Sequence, residues 1–224
     1  MIVVGLTGSI GMGKTNAARN LRRLGVPVYE ADAEVHKLYA RGGAAVAPLD
    51  KAFPGAVSNG AVDRAKLSEL LRADPKAVAR LERIVHPLVR KVQERFLRAM
   101  ALRRKPIAVL DIPLLFETGG ERRCDAVIVV SAPAYLQRQR VLRRPGMSAD
   151  KLDLLLGRQM PDAEKRRRAA FVIETNRGHR ETLVELRRIL RMLKRWTPRR
   201  RPKSIHRRRR GAEKIGMAHP RRAQ

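Results

Sequence analysis

The sequence holds one cysteine, Cys124, and so cannot build a disulfide framework, which leads us to expect a reducing, cytoplasmic setting. Long apolar runs are missing too. Nowhere do ~18 apolar residues follow one another, which argues against a membrane span and against a membrane partner. The opening Met1-Ile2-Val3-Val4-Gly5-Leu6 lacks the basic segment and the longer apolar stretch of an export signal. Aromatic residues make up 4% of the chain, which leaves no stacking platform for reading nucleic-acid sequence. His36, His86, His179, His206 and His219 fall at no metal-ligand spacing, so structural zinc is not supported.

Acidic residues are also scarce. Against 21 Asp and Glu stand 50 Lys and Arg, a formal net charge of +29, which attracts polyanions and phosphorylated ligands at low ionic strength. The excess is uneven. From Thr197 onward a single acid, Glu213, faces Arg199-Arg200-Arg201-Pro202-Lys203, Arg207-Arg208-Arg209-Arg210 and further basic residues, so +10 of the charge lies in the last 28 residues. With almost no apolar residues to offset the entropy of ordering, this tail (197–224) is expected to be disordered, either a non-specific polyanion contact or a neutral extension. The remaining 196 residues are long enough for one domain, and a hydrophobic content of 44% supplies its core.

Ahead of the tail, short apolar runs alternate with helical patterns, the signature of βαβ units and a parallel sheet. Strands are predicted at Ile2–Leu6, Val26–Tyr29, Ile107–Leu110 and Ala126–Val130, with a weaker one at Phe171–Ile173. The unbroken run Ala126-Val127-Ile128-Val129-Val130 suits a strand buried on both faces. Lys14–Leu24 reads as a helix stopped by Gly25. Asp74-Pro75 reads as an N-cap with proline at the first helical position of a helix running to about Arg103, kinked or broken near Val85–His86 by Pro87. Arg41–Asn59, with Gly42-Gly43 and Pro54-Gly55, reads as irregular. Leu183, Leu186, Leu190 and Leu193 give the last helix one apolar stripe.

Gly8-Ser9-Ile10-Gly11-Met12-Gly13-Lys14-Thr15 fits G-x-x-x-x-G-K-[ST], directly after a predicted strand and before a predicted helix. Glycines there let successive backbone N–H groups point inward with no Cβ in the way, and the following helix adds its positive end. Lys14 would then reach the β- and γ-phosphates of a nucleotide, and the Thr15 hydroxyl would coordinate Mg²⁺. A dinucleotide fingerprint fails, because Asn16 stands where a third glycine belongs.

Asp32, just beyond the second strand, falls at the sheet edge beside this loop, where it could take a proton from a substrate hydroxyl or simply cap the helix Ala33–Leu38. Asp111 ends the third strand, where it could face the metal or the substrate, or serve the turn before Pro113. Arg138, Arg140, Arg143 and Arg144 follow the fourth strand on a helix, and Arg158 lies on the next helical stretch, Asp150–Met160. A mobile arginine-bearing lid would supply cations to a transferring phosphoryl group and exclude water. For any one of them a solvated helix face is the competing explanation. His86, in His86-Pro87-Leu88-Val89-Arg90, is a candidate substrate contact or a structural residue before a proline.

Taken together, Gly5–Thr15, Ala31-Asp32, His86–Arg90, Asp111–Glu117 and Arg158-Gln159-Met160-Pro161 leading to Lys165 resemble the dephospho-CoA kinase family over roughly Met1 to Leu193. The resemblance implies an α/β fold with a P-loop nucleoside-triphosphate-hydrolase-like parallel sheet covered by helices. It implies a kinase domain over 1–196, with a helical CoA-side insertion at about 33–105 and a lid at about 140–168. The reaction implied is phosphorylation of the ribose 3′-hydroxyl of dephospho-CoA by ATP with Mg²⁺, in a monomer. Asp32 then looks like the base, Lys14 and Arg140 like the groups neutralising the phosphate, and Thr15 like the metal ligand. Gly11, Met12, Gly13, Lys14, Thr15, Asn16 and Asn176 fall on the ATP side, and Asp32, His86, Arg90, Asp111, Leu114 and Arg158 on the acceptor side. Three positions depart from the family pattern: Glu30 for an aspartate, Asn16 for a second hydroxyl, and Ala170 for an aspartate after the lid. The rival readings are a kinase for another nucleotide or nucleoside, and a nucleic-acid-binding protein whose affinity falls steeply with salt.

Overall fold

A computed structural model describes residues 1–196; the basic tail from Thr197 lies outside the described residues. In chain order the elements are β1 (Ile2–Thr7), α1 (Lys14–Arg23), β2 (Val28–Glu30), α2 (Ala31–Tyr39), α3 (Val46–Ala52), β3 (Val57–Ser58) and β4 (Ala61–Val62). There follow α4 (Arg64–Ala73), α5 (Ala77–Leu102), β5 (Ile107–Asp111) and a 3₁₀ turn at Gly120–Arg123. The chain continues through β6 (Ala126–Ser131), α6 (Ala134–Leu142), α7 (Ala149–Gly157), α8 (Asp162–Arg168), β7 (Phe171–Glu174) and α9 (His179–Lys194). No helix among the described residues is long and apolar enough to cross a membrane.

β1, β2, β5, β6 and β7 form one parallel sheet in the order β2-β5-β1-β6-β7. β1 lies at its centre, and every one of its six residues is buried, which is why it reads as an unbroken apolar run. Alternate residues feed opposite faces. Val4 and Leu6 join Leu21 of α1 and Leu186, Ile189, Leu190 and Leu193 of α9 in one layer, while Val3 packs with Tyr29, Leu110, Phe96 and Leu97 on the other. A separate apolar cluster holds α2 to α5 and the β3–β4 hairpin together around Leu38, Leu49, Phe53, Leu67 and Val85. All of this second cluster lies between β2 and β5 in the chain.

Several boundaries differ from the sequence expectation, each for a local reason. The second strand starts at Val28, because the Val26 N–H turns back to the Leu21 carbonyl and Pro27 has none to give. Arg41–Asn59 is not wholly irregular: α3 forms there because Leu49 and Phe53 have a cluster to enter. Asp74 does not cap α5 directly. Its carboxylate accepts the Lys76 N–H at 2.8 Å and its carbonyl the Ala77 N–H at 2.9 Å, a turn that delivers the chain into a helix starting at Ala77. The stretch predicted over Asp150–Met160 ends as a helix at Gly157, since the Met160 N–H goes to Glu117 and Pro161 follows.

No break occurs at Pro87. α5 runs through it as one helix of 26 residues, although the proline has no N–H for the Arg83 carbonyl. Leu81, Ile84 and Val85 before it, and Leu88, Val89 and Val92 after it, enter the same apolar cluster and hold the helix together. Replacing the exposed Pro87 with alanine restores the missing bond, and we expect Pro87→Ala to raise stability by about 1–3 kcal/mol. Urea denaturation midpoints check this; an unchanged or lower midpoint would mean that the proline's restriction of the unfolded chain outweighs the bond.

Candidate active site

The carboxyl edge of the sheet is where the loops converge. β1 ends at Thr7, whose hydroxyl donates to the Pro113 carbonyl at 2.8 Å and ties the following loop to the one after β5. The chain then passes so close to β6 that a Cβ at Gly8 would stand 2.5 Å from the Val130 carbonyl oxygen. Gly13 precedes α1 at φ +91°, a left-handed conformation that opens the first turn of the helix. Met12 points into the protein: its side chain is buried, and the Ala132 N–H donates to its Sδ at 3.0 Å. Met12 thus anchors the loop from beneath. The N–H groups of Gly11, Gly13, Lys14 and Thr15 make no hydrogen bond among the described residues and are left for a ligand at the positive end of α1.

Two side chains lock this loop to its neighbours. The Thr175 hydroxyl donates to the Met12 carbonyl at 2.9 Å and accepts from Arg140 Nη1 at 2.9 Å, while Arg140 Nη2 donates to the Thr175 carbonyl at 2.8 Å. Lys14 Nζ lies 2.6 Å from Asp111 Oδ1, with the carboxylate almost wholly buried. Burial pushes the Asp111 carboxyl above its ordinary value against the pull of Lys14, and the negative fields of Glu30 and Asp32 push it the same way. Glu30 is in register with Asp111 across β2 and β5 and is ion-paired to Arg22.

Two cavities open along this edge. One, of about 650 Å³, is lined by Gly11, Gly13, Lys14, Thr15, Asn16, Asp32 and Arg140 with Arg144, Thr175 and His179. The other, of about 570 Å³, has apolar walls, among them Val35, Val85, Val89 and Ile112, together with His86, Arg90, Leu114 and Arg123. Asp32, Pro113 and Gln159 line both. Asp32 occupies the second position of α2, whose N-cap is Glu30, so it does not cap that helix and its carboxylate faces the meeting line of the cavities.

Most of the candidates named from sequence therefore converge. Arg158 does not: it is the exposed C-cap of α7 and lines neither cavity. Asn176 is likewise exposed and outside both, one residue from Thr175, which lines the first. In both places the adjacent residue, Gln159 or Thr175, lines a cavity. Gln159 belongs to a segment quoted above and Thr175 adjoins Asn176, but only the turn of the backbone decides which of two adjacent polar side chains lines the cavity. The pair Lys165 and Glu117 was also missed as a pair. Lys165, 0% exposed, lies 2.9 Å from Glu117, whose carboxylate also accepts the Met160 N–H at 2.8 Å.

Among the described residues no three His, Cys, Asp or Glu side chains form a metal cage. Mg²⁺ does not need one, since it is commonly held by one or two protein oxygens with phosphates and water. The Thr15 hydroxyl in the first cavity, with the buried Asp111 carboxylate facing Asp32 and Glu30 nearby, fits that requirement.

A parallel sheet with a glycine-rich phosphate loop, a lysine and a serviceable carboxylate at its carboxyl edge defines a P-loop phosphotransferase. Comparison with known proteins narrows the class. The sequence model of dephospho-CoA kinase matches residues 2–181, and the chain belongs to the dephospho-CoA kinase family. It is 52% identical over 202 residues to the dephospho-CoA kinase of Rhodopseudomonas palustris (strain HaA2), covering 90% of this chain and 100% of that one. It is 61% identical over 166 residues to the dephospho-CoA kinase of Paramagnetospirillum magneticum, covering 74% and 78%. A crystal structure from Thermus thermophilus superposes with a TM-score of 0.75 at 38% identity, covering 86% of this chain and 97% of that one. A dephospho-CoA kinase structure from Campylobacter jejuni shares the fold with a TM-score of 0.59 at 24% identity, covering 85% and 96%.

The Glu117–Lys165 pair fastens the segment carrying Gln159 and Met160 to the loop after β5. Burial pushes the Glu117 carboxyl up, but Lys165 and the backbone N–H donors outweigh it and hold the carboxyl below its ordinary value. A depressed carboxylate contributes stability above its unfolded value and loses it as pH falls through the folded one. Glu117→Gln leaves the Lys165 ammonium buried without its counter-charge and should cost ~3–5 kcal/mol at neutral pH. The gap to wild type should close as acid protonates Glu117, which thermal unfolding from pH 7 to 3 measures; a gap independent of pH would remove the ion pair as its cause.

Proposed function

We propose that this chain transfers the γ-phosphoryl group of ATP to the ribose 3′-hydroxyl of dephospho-CoA, giving coenzyme A and ADP. The observation that carries this reading is the meeting of a phosphate-loop cavity and an apolar-walled cavity at Asp32. ATP lies in the first, its phosphates on the N–H groups of Gly11, Gly13, Lys14 and Thr15, with Asn16 alongside. Dephospho-CoA lies in the second. Its adenine faces apolar walls, and its pyrophosphate suits Arg90, Arg123 and His86, with Leu114 closing the side.

In transfer the bond from phosphorus to the acceptor oxygen forms as the bond to the β,γ-bridging oxygen breaks, and the hydroxyl proton passes to the Asp32 carboxylate. Lys14 and Arg140 neutralise charge on the moving group, and Asp111 orients Lys14. Mg²⁺ held by the Thr15 hydroxyl would, when bound, neutralise the β- and γ-phosphates. The helical segment 33–105 is assigned to the acceptor side and 140–168 to a lid. Arg158, exposed on that lid, is proposed to meet the acceptor on closure, and Asn176 to border the adenine of ATP at the cavity mouth. We further propose a cytoplasmic monomer whose tail contacts polyanions without specificity and takes no part in catalysis.

The reading is tested by incubating the purified chain with ATP, Mg²⁺ and dephospho-CoA, AMP, CMP or adenosine and weighing the products; a phosphate on any acceptor but dephospho-CoA alone would overturn the assignment. Asp32→Asn should lower kcat by ~10²–10⁴-fold with little change in ATP affinity, and near-normal turnover would remove Asp32 as the base. Truncation after Trp196 should abolish salt-sensitive RNA binding and spare kinase activity. Loss of kinase activity on truncation would overturn the division between domain and tail.

A further inference from the structure

Three residues line both cavities, and they are chemically unequal. Pro113 has no N–H, and its carbonyl already accepts the Thr7 hydroxyl. Asp32 brings a carboxylate, which accepts. Only Gln159 can donate from a side chain at the junction where donor and acceptor phosphate chemistry meet.

The orientation of that amide follows from its partner. The Ile10 N–H of the phosphate loop donates to Gln159 Oε1 at 3.1 Å, and a backbone N–H pairs with the oxygen of an amide, not with its NH₂. The NH₂ is therefore on the other branch, with no acceptor among the described residues. The backbone around it is pinned as well. The Gln159 N–H returns to the Leu156 carbonyl at 3.0 Å, and the Met160 N–H is held by Glu117, itself paired with the fully buried Lys165. A side chain held from both directions, with its NH₂ unpaired among the described residues, is preorganised in the sense that catalysis requires.

We propose that Gln159 Nε2 donates a hydrogen bond to a non-bridging oxygen of the phosphoryl group in transit, while Oε1 keeps the Ile10 N–H. This rests on the cavities holding ATP and its acceptor as set out above. Lys14, held by Asp111, and Arg140, held by Thr175 and the Gly11 carbonyl, approach the moving group from the nucleotide side, and a neutral donor at the junction adds a hydrogen bond to theirs. No bond to Gln159 forms or breaks. The amide does not titrate, so its contribution is independent of pH.

Two variants separate donation from support of the loop. Gln159→Met keeps the length and loses both hydrogen bonds; Gln159→Glu keeps an oxygen for the Ile10 N–H and loses the donor. Both should lower kcat by about 10²-fold; in the uncharged Gln159→Met, KM for ATP and dephospho-CoA should change by less than about threefold and the pH profile of the surviving rate should not move. Affinity for a non-hydrolysable ATP analogue and the urea midpoint serve as checks on binding and folding. Near-wild-type kcat in Gln159→Glu would overturn the proposal, leaving Gln159 as a support for the loop alone. A loss wholly in KM would overturn it too. If the wild-type chain phosphorylates another acceptor instead, the acceptor assignment falls, and the same kcat comparison on that acceptor decides Gln159.

Discussion

The ion pair between Lys14 and Asp111 links the two strands on which everything else at the site depends. Lys14 opens the helix after β1, and Asp111 ends β5, the neighbour to which β1 is hydrogen-bonded in register from Ile2 to Leu6. Because the strands are parallel, their carboxyl ends share one edge, and the loops leaving them must accommodate charge there without the help of sheet hydrogen bonds. Burial disfavours the Asp111 carboxylate, and the lysine offsets this without removing it. An anionic ligand that drew Lys14 toward itself would leave Asp111 facing Asp32 and Glu30, which is the electrostatic setting in which a divalent cation is stabilising. The pair thus ties the start of α1 to the end of β5 at the sheet edge.

The second apolar cluster gives the site its other half. The chain between β2 and β5 builds its own core from α2 to α5, and α5 carries His86 and Arg90 to the wall opposite Asp32. Tyr29 and Phe96, with ring centroids 5.6 Å apart, join this layer to the sheet. The wall of the second cavity thus draws on a cluster separate from the core beneath the phosphate loop, which rests on β6 and Thr175. Segment 159–165 closes the arrangement by touching both sides, through Gln159 to Ile10 and through Met160 and Lys165 to Glu117.

Much of this was legible in the residues. The strands were placed within a residue or two, because two-sided burial makes them continuous apolar runs. The phosphate loop could be read from its glycines, since backbone that approaches a phosphate and a neighbouring strand this closely tolerates little else. Asp32 and Asp111 were identifiable from position alone, as polar residues where apolar strands end. Less was visible where packing overrides local preference. Pro87 predicts a kink or break in any isolated helix, and only the cluster on both sides of it shows why α5 continues. Arg158 and Asn176 came from the family resemblance; that their neighbours Gln159 and Thr175 line the cavities depends on the direction of the backbone, which chemical type does not reveal.

The order of the main elements, the phosphate loop, the family resemblance and the residues able to carry charge or protons can all be read from the chain of amino acids. These are local properties, set by periodicity, by glycine's access to left-handed backbone and by side-chain chemistry. Only the tertiary structure decided that two cavities share a boundary, that Asp32 stands on it rather than capping a helix, and that the amide of Gln159 turns its oxygen to Ile10. Residues such as Ile10 and Gln159, Glu117 and Lys165, and Arg140 and Thr175 are far apart in the chain. Their pairing is fixed by the crossing of the segments that carry them, and no short-range pattern encodes that crossing.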